Sequence, residues 1–289
     1  MKKTILITGT SAGFGKDAAE TLAATGHRVF GTMRDVNGRS ASAAKELRSK
    51  SITVLELDVT NDASVDAAFT ELYQYTGGTL DVLVNNAGLF AAGLSETYTP
   101  DQVREMFDVN VFGVQRVMRA ALPAMRKKKS GLIINIGSIL GRVTIPFLGL
   151  YGASKHAVEA LTESYRYELS QLGIDVVLVQ PSAYPTKLYT SLQAASDTGR
   201  SEGYGEVSTL PGSFNEYIQG LFSGDNPPNP HDVPEALLQL IATPDGERPN
   251  RVVVGAPFGA SEVNAAVQPI QGSMISSIGF EALTTLKVQ

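Results

Sequence analysis

The sequence predicts an α/β fold: a doubly wound, mostly parallel seven-stranded sheet with helices on both faces. Three observations carry that expectation. Short apolar runs alternate with longer amphipathic stretches from one end of the chain to the other. The short runs are continuous rather than alternating in polarity, as strands buried on both faces are. No internal repeat, low-complexity tract or linker divides the chain, so residues 1–289 read as one domain.

The strand-like runs are Thr4–Thr8, Arg28–Met33, Ile52–Leu57, Asp81–Val84, Gly131–Gly137, Ile174–Gln180 and Arg251–Gly255. Between them the helical stretches are Phe14–Ala24, Ala41–Ser49, Ala63–Tyr75, Pro100–Arg126, Tyr151–Gln171 and Pro234–Ala242. Thr99-Pro100-Asp101-Gln102 is a strong helix start, with an N-cap threonine and proline at the first helical position. Asp232 and Glu235 have capping-box spacing for the helix that follows them. One long irregular stretch, about residues 182–233, is rich in Gly, Ser, Pro and Asn and holds several aromatics. A connection of that length in a compact fold reads as a lid or binding loop. The tail, about residues 256–289, reads as packing over the core or a neighbouring subunit.

Composition excludes several chemistries. There are no cysteines, which removes disulfides, thiolate catalysis and iron–sulfur or zinc–thiolate sites. The three histidines, His27, His156 and His231, are far apart, so no metal site is expected. A net charge of −5 argues against nucleic acid as a partner. The basic run Arg126-Lys127-Lys128-Lys129 reads as the solvated end of a helix, where cations suit the dipole. The first apolar stretch is too short for a signal peptide and turns directly into glycines. No run approaches the roughly 20 apolar residues of a membrane span, so a cytoplasmic protein without membrane contact is expected.

The first strand runs into Thr8-Gly9-Thr10-Ser11-Ala12-Gly13-Phe14-Gly15, and a helix follows. Glycines there let the backbone turn tightly and approach a pyrophosphate, and the helix N-terminus supplies free N–H groups and positive dipole. A glycine cluster alone also fits a plain tight turn; its place between first strand and first helix favours a Rossmann-type phosphate site.

Tyr151 and Lys155 are four residues apart on the long helix after the fifth strand and share a face. An ammonium beside a phenol favours phenolate, so the Tyr151 pKa is expected below its usual value, suited to exchanging a proton with an alcohol or carbonyl oxygen. Ser138 ends the fifth strand at the carboxyl edge, where open α/β sheets bind ligands. Taken singly, Tyr-x-x-x-Lys is also a packed tyrosine with a surface lysine, and Ser138 a strand terminator.

Together these motifs resemble the classical short-chain dehydrogenase/reductase family. The resemblance covers roughly residues 3–186 and rests on Thr8-Gly9-x-x-x-Gly13-x-Gly15, Asp58, Asn85-Asn86-Ala87-Gly88, Asn110, Ser138, Tyr151-x-x-x-Lys155 and Pro181. It implies a catalytic tetrad of Asn110, Ser138, Tyr151 and Lys155, with Lys155 also on the nicotinamide ribose and Asn110 holding a water in a proton relay. It implies cofactor contacts at Gly9, Ser11, Gly13, Phe14 and Gly15, at Asp58 and Val59, and at Asn86, Ala87, Gly88 and Pro181. The family usually has Pro-Gly at positions 181–182 and a later threonine that touches the nicotinamide carboxamide. Here Thr186 keeps the threonine's place and Ser182 replaces the glycine.

The cofactor expected is NADP(H) rather than NAD(H). By resemblance, the acidic residue that holds the ribose of NAD falls at Met33, and Arg34 follows with a guanidinium suited to a phosphate. The strand end and the longer tail are similar to the hydroxysteroid and retinol dehydrogenase-like group, which implies a lipophilic carbonyl or alcohol substrate. Phe90, Phe147, Tyr184, Leu188 and Tyr189 are expected around the pocket mouth, though each also suits core or loop packing. Apolar residues on more than one face of the two long helices, among them Val109, Val111, Val114, Val117, Ala157, Val158 and Leu161, suit pairing across a two-fold axis, hence a homodimer or homotetramer. Two other readings stay open: an NADP(H)-binding sensor or scaffold without turnover, and an epimerase or dehydratase on the same fold.

Overall fold

The computed structural model describes residues 2–288. Seven parallel strands form one sheet: β1 (Thr4–Ile7), β2 (Arg28–Met33), β3 (Thr53–Glu56), β4 (Val82–Asn85), β5 (Gly131–Ile136), β6 (Ile174–Pro181) and β7 (Arg251–Val254). Their order is β3-β2-β1-β4-β5-β6-β7. All six pairings are parallel, so the sheet has no antiparallel edge.

The continuous apolar runs are explained by the two cores they serve. Ile5 and Ile7 face one core and Leu6 the other; Val82 and Val84 divide from Leu83 in the same way. Against the first face pack α1 (Gly13–Ala24) and α2 (Ala41–Ser49), and against the second α3 (Asp62–Thr76). A strand with one solvated face would alternate in polarity; these bury both faces and cannot.

The stretch expected as one helix over 100–126 is instead three pieces: α4 (Pro100–Phe107), a π turn (Asp108–Phe112) and α5 (Gly113–Lys128). The Thr99 capping box forms as expected. The π turn accommodates one extra residue per turn and marks functional sites often; here it carries Asn110, buried. The basic run ends α5, with Lys129 as a left-handed cap. Next comes α6 (Gly149–Ser170), whose first turn holds Tyr151.

The span read as an irregular loop contains α7 (Lys187–Thr190), a run of 3-10 turns over Thr198–Thr209 and α8 (Leu210–Ser223). Then come α9 (Asp232–Ala242) on the first face and, in the tail, α10 (Ala260–Ser277). The Asp232–Glu235 capping box does not form: His231 is the N-cap, and the Asp232 carboxylate accepts instead from the Tyr184 hydroxyl at 2.9 Å. A tertiary hydrogen bond has displaced the local one. Among the described residues no helix is long and apolar enough to cross a membrane, and no group of His, Cys, Asp and Glu is placed to hold a metal.

Candidate active site

A cleft of about 330 Å³ opens at the carboxyl ends of the strands, where β1 and β4 lie side by side and the chain winds off in opposite directions. Its floor is the turn between β1 and α1. Gly9 has φ +72°, and a Cβ there would sit 2.8 Å from the Ala87 Cα. Gly13, at φ +56°, opens α1 behind an extended Ala12 that supplies no side-chain cap. The first-turn N–H groups thus have no capping side chain, which suits an anionic ligand. Gly9, Ser11, Gly13 and Phe14 line the cleft. Gly15 does not: it is buried, and its missing Cβ makes room for the Asn86 side chain and the Gly9 carbonyl.

The turn after β4 is braced on this one. Thr8 Oγ1 accepts from the Asn86 and Ala87 backbone N–H groups at 2.9 and 3.0 Å, and Asn86 Nδ2 donates to the Thr8 and Gly9 carbonyls at 2.9 and 3.0 Å. Asn86, Ala87 and Gly88 border the cleft. Asn85 stands outside it, its amide donating to Asn135 Oδ1 at 2.8 Å in the sheet interior.

Ser138, Tyr151 and Lys155 meet in the cleft. Ser138 leaves β5 in extended conformation and its hydroxyl accepts from the Leu140 N–H at 3.1 Å. Lys155 Nζ donates to the Ile136 carbonyl at 2.9 Å and stands 5.6 Å from the Tyr151 ring centroid. The expected lowering of the Tyr151 pKa is not found. Burial pushes the phenol well above its ordinary value, the neighbouring Tyr189 adds to this, and the Ser138 hydroxyl offsets only part. Burial also pulls the Lys155 ammonium down to about 8. Desolvation outweighs the proximity that helical spacing suggests.

Asn110 is buried in the π turn. It does not border the cleft. Its Oδ1 accepts from the Leu89 N–H at 2.7 Å, and its Nδ2 donates to the Leu89 carbonyl and to Ser154 Oγ, both at 3.0 Å. Protein groups thus engage the whole side-chain amide, which fixes the 86–90 turn onto the π turn and α6. Its side chain braces the site.

At the other end of the cleft lie Met33, Arg34, Asp58 and Val59. The Arg34 guanidinium reaches Asp58 only loosely, at 3.9 Å, and is half exposed. The nearby carboxylates are occupied: Asp35 accepts from the Arg39 N–H at 2.9 Å, and Glu56 from the Asp35 and Val36 N–H groups at 2.6 and 2.8 Å. Burial alone would raise the Asp58 carboxyl, but the Thr60 N–H and hydroxyl, with Arg34 and Arg39, hold it below its usual range.

Past Tyr151 the walls become apolar. Phe90 packs edge-on to Tyr151 with ring centroids 4.8 Å apart, and Tyr189 lies 4.8 Å from Phe90. Leu188 and Tyr189 line the cleft as expected, and so do Pro181 and Thr186. Phe147 does not; it sits in a left-handed turn where its carbonyl accepts from the Gly93 N–H at 2.8 Å. Tyr184 is almost wholly buried, edge-on to Phe14 at 5.5 Å, and also reaches the cleft lining. Sequence reading missed Ile145 and Leu148, and it missed α8, which contributes Phe214, Tyr217, Ile218 and Leu221. Those four have i, i+3, i+4, i+7 spacing, the signature of one helical face.

Comparison with known proteins agrees with this geometry. The short chain dehydrogenase family model matches residues 3–197. The chain is 40% identical to 3-ketodihydrosphingosine reductase of Bacteroides thetaiotaomicron over 70% of this chain and 71% of that protein. It is 33% identical to human (Homo sapiens) retinol dehydrogenase 8 over 83% of this chain and 78% of that one. Among solved structures, a short chain dehydrogenase/reductase from Burkholderia phymatum in complex with NAD superposes with a TM-score of 0.75 at 28% identity, covering 93% of this chain and 94% of its own. ElxO with NADP bound gives 0.71 at 28% identity, covering 91% and 100%. Family relatives of this shape therefore bind NAD or NADP, and this chain belongs to the short-chain dehydrogenase/reductase family of oxidoreductases.

Proposed function

We propose that the protein is an NADP(H)-dependent reductase of lipophilic ketones or aldehydes, with Tyr151 as proton donor. The observation that carries this reading is the joint placement of Ser138, Tyr151 and Lys155 between a glycine-turn cradle and an apolar chamber. The cradle fits a dinucleotide: its glycines leave room that side chains would fill, and its helix N-terminus lacks a capping side chain. When bound, the nicotinamide cofactor supplies the hydride. The chain's own residues do the rest. Because burial raises the Tyr151 phenol, it holds its proton through the neutral range and can deliver it at Oη to a carbonyl oxygen. The Ser138 hydroxyl is a second donor to the same oxygen, and Lys155, tied to the Ile136 carbonyl, sets a positive charge behind the phenol.

Selectivity for NADP(H) is supported by Arg34, loosely paired and facing the cleft, and by Met33 where an acid would repel a phosphate. A lipophilic substrate is supported by Phe90, Tyr189, Phe214 and Ile218 around Tyr151, and by relatives named for a sphingoid ketone and for retinol. The experiment is NADPH oxidation with long-chain and polycyclic ketones and aldehydes set against sugars and keto acids. Turnover of the apolar compounds is expected; absence of turnover with every carbonyl, with either nicotinamide cofactor, would leave a binding protein instead.

The same reading places a homodimer or homotetramer in the cytoplasm. Val109, Val114, Val117 and Val158, expected at the interface, are buried against the chain's own core. The exposed Phe112 and the half-buried Val111, Ala157 and Leu161 remain for a two-fold contact. A clean monomer in sedimentation at micromolar concentration would remove this part.

A further inference from the structure

The loop of residues 182–186 departs from the family pattern, and the structure shows what it is attached to. Its start is fixed by the Ser182 N–H, which donates to the Val254 carbonyl at 2.9 Å. It returns at Thr186, which borders the cleft directly across from Gly13: a Cβ on Gly13 would lie 3.6 Å from the Thr186 Cβ. Loop and glycine turn are therefore the two banks of the cleft between its Arg34 end and its Tyr151–Lys155 end. Proline at 185 has no N–H to donate, and the middle of the loop is held through Tyr184. The Tyr184 ring lies edge-on to Phe14, the first aromatic of the glycine turn, with an interplanar angle of 82°. Its hydroxyl passes between β7 and α9 to donate to Asp232 Oδ2 at 2.9 Å. Gly255, at φ +82°, clears the way: a Cβ there would come within 2.6 Å of the Tyr184 hydroxyl.

We propose that the Tyr184–Asp232 hydrogen bond is a latch that holds the 182–186 loop against the glycine turn, making Tyr184 a positioning residue for the half of the dinucleotide that runs from the pyrophosphate to the reacting ring. The inference rests on the cofactor reading above. It assigns a role to a residue that is almost wholly buried, borders the cleft, and acts on its two banks through Thr186 and Phe14. It also accounts for Ser182 in place of glycine: the loop gains its shape from an anchored tyrosine instead of a flexible backbone. The latch acts through Phe14 and the 182–186 loop and makes no contact with Arg34, which pairs with Asp58, so releasing it is expected to act on one half of the ligand only.

That asymmetry gives the test. Affinities for NADPH and for 2′,5′-ADP, which carries only the adenosine half, are measured by fluorescence and calorimetry for the wild type, Tyr184→Phe, Asp232→Ala and Asp232→Asn. Loss of a hydrogen bond to a carboxylate is expected to weaken NADPH about tenfold in Tyr184→Phe and Asp232→Ala. Binding of 2′,5′-ADP is expected unchanged, and Asp232→Asn, whose amide oxygen still accepts, is expected to bind NADPH like the wild type. Equal NADPH affinity in Tyr184→Phe and wild type overturns the latch, as does parallel weakening of both ligands, which marks general loss of structure. A wild type that binds neither ligand fails the cofactor reading itself, and the latch with it.

Discussion

Lys155 Nζ donates to the backbone carbonyl of Ile136 at 2.9 Å, tying the helix that carries Tyr151 to the strand that delivers Ser138 two residues later. One hydrogen bond thus sets the spacing between the two groups that face a substrate oxygen. It also holds the ammonium in a buried position, and burial pulls it down to about 8.

A stability signature follows. In the unfolded chain Lys155 keeps its proton to about pH 10.4, whereas the folded protein gives it up near 8. Between these values the unfolded state binds more protons, so stability rises with pH. The gain contributed by this group is on the order of 3 kcal/mol when complete. Urea unfolding from pH 8 to 10 is expected to show the wild type gaining stability relative to Lys155→Met. Parallel curves for the two proteins would mean that Lys155 is not desolvated as described.

Asn110 gives a second prediction, about architecture. Asn110→Ala leaves the Leu89 N–H and carbonyl and Ser154 Oγ without this partner. Orphaning such groups costs on the order of 3 kcal/mol. The midpoint of denaturation is expected to fall accordingly, and NADPH affinity with it, since the 86–90 turn borders the cleft. A variant with unchanged stability would contradict the bracing role.

Cofactor choice is tested at Arg34 and Met33. Wild type is expected to favour NADPH in kcat/KM, and Arg34→Ala to lose about ten- to a hundredfold of that preference, as befits a charge-assisted contact. Met33→Asp is expected to tilt use toward NADH. Equal use of both cofactors by wild type, unchanged in Arg34→Ala, would sink the assignment.

What the sequence disclosed and what it concealed have physical reasons. All seven strands were legible because two-sided burial writes a continuous apolar run, as in Leu132–Ile134, which feeds both cores alternately. The glycine turn and the Ser138, Tyr151, Lys155 set were legible because their chemistry requires those residue types at local spacings. The π turn was not, since an apolar stripe continues through it with only a shift of face. Tyr184 was legible only in part: it borders the cleft, but the hydrogen bond that anchors it is to Asp232, 48 positions away. The helix α8 could have been found: Phe214, Tyr217, Ile218 and Leu221 mark a face that the surrounding glycines and serines obscured.

The central claim is that Tyr151 moves the proton, and Tyr151→Phe tests it most directly, since the ring and its contact with Phe90 are kept and only the hydroxyl is lost. NADPH affinity is measured by fluorescence on the same preparations as carbonyl reduction. The account predicts turnover lower by about 10²–10⁴-fold with NADPH binding nearly unchanged. A Phe variant that keeps more than about a tenth of wild-type turnover would contradict it, because general acid catalysis of ordinary size cannot then reside in that hydroxyl.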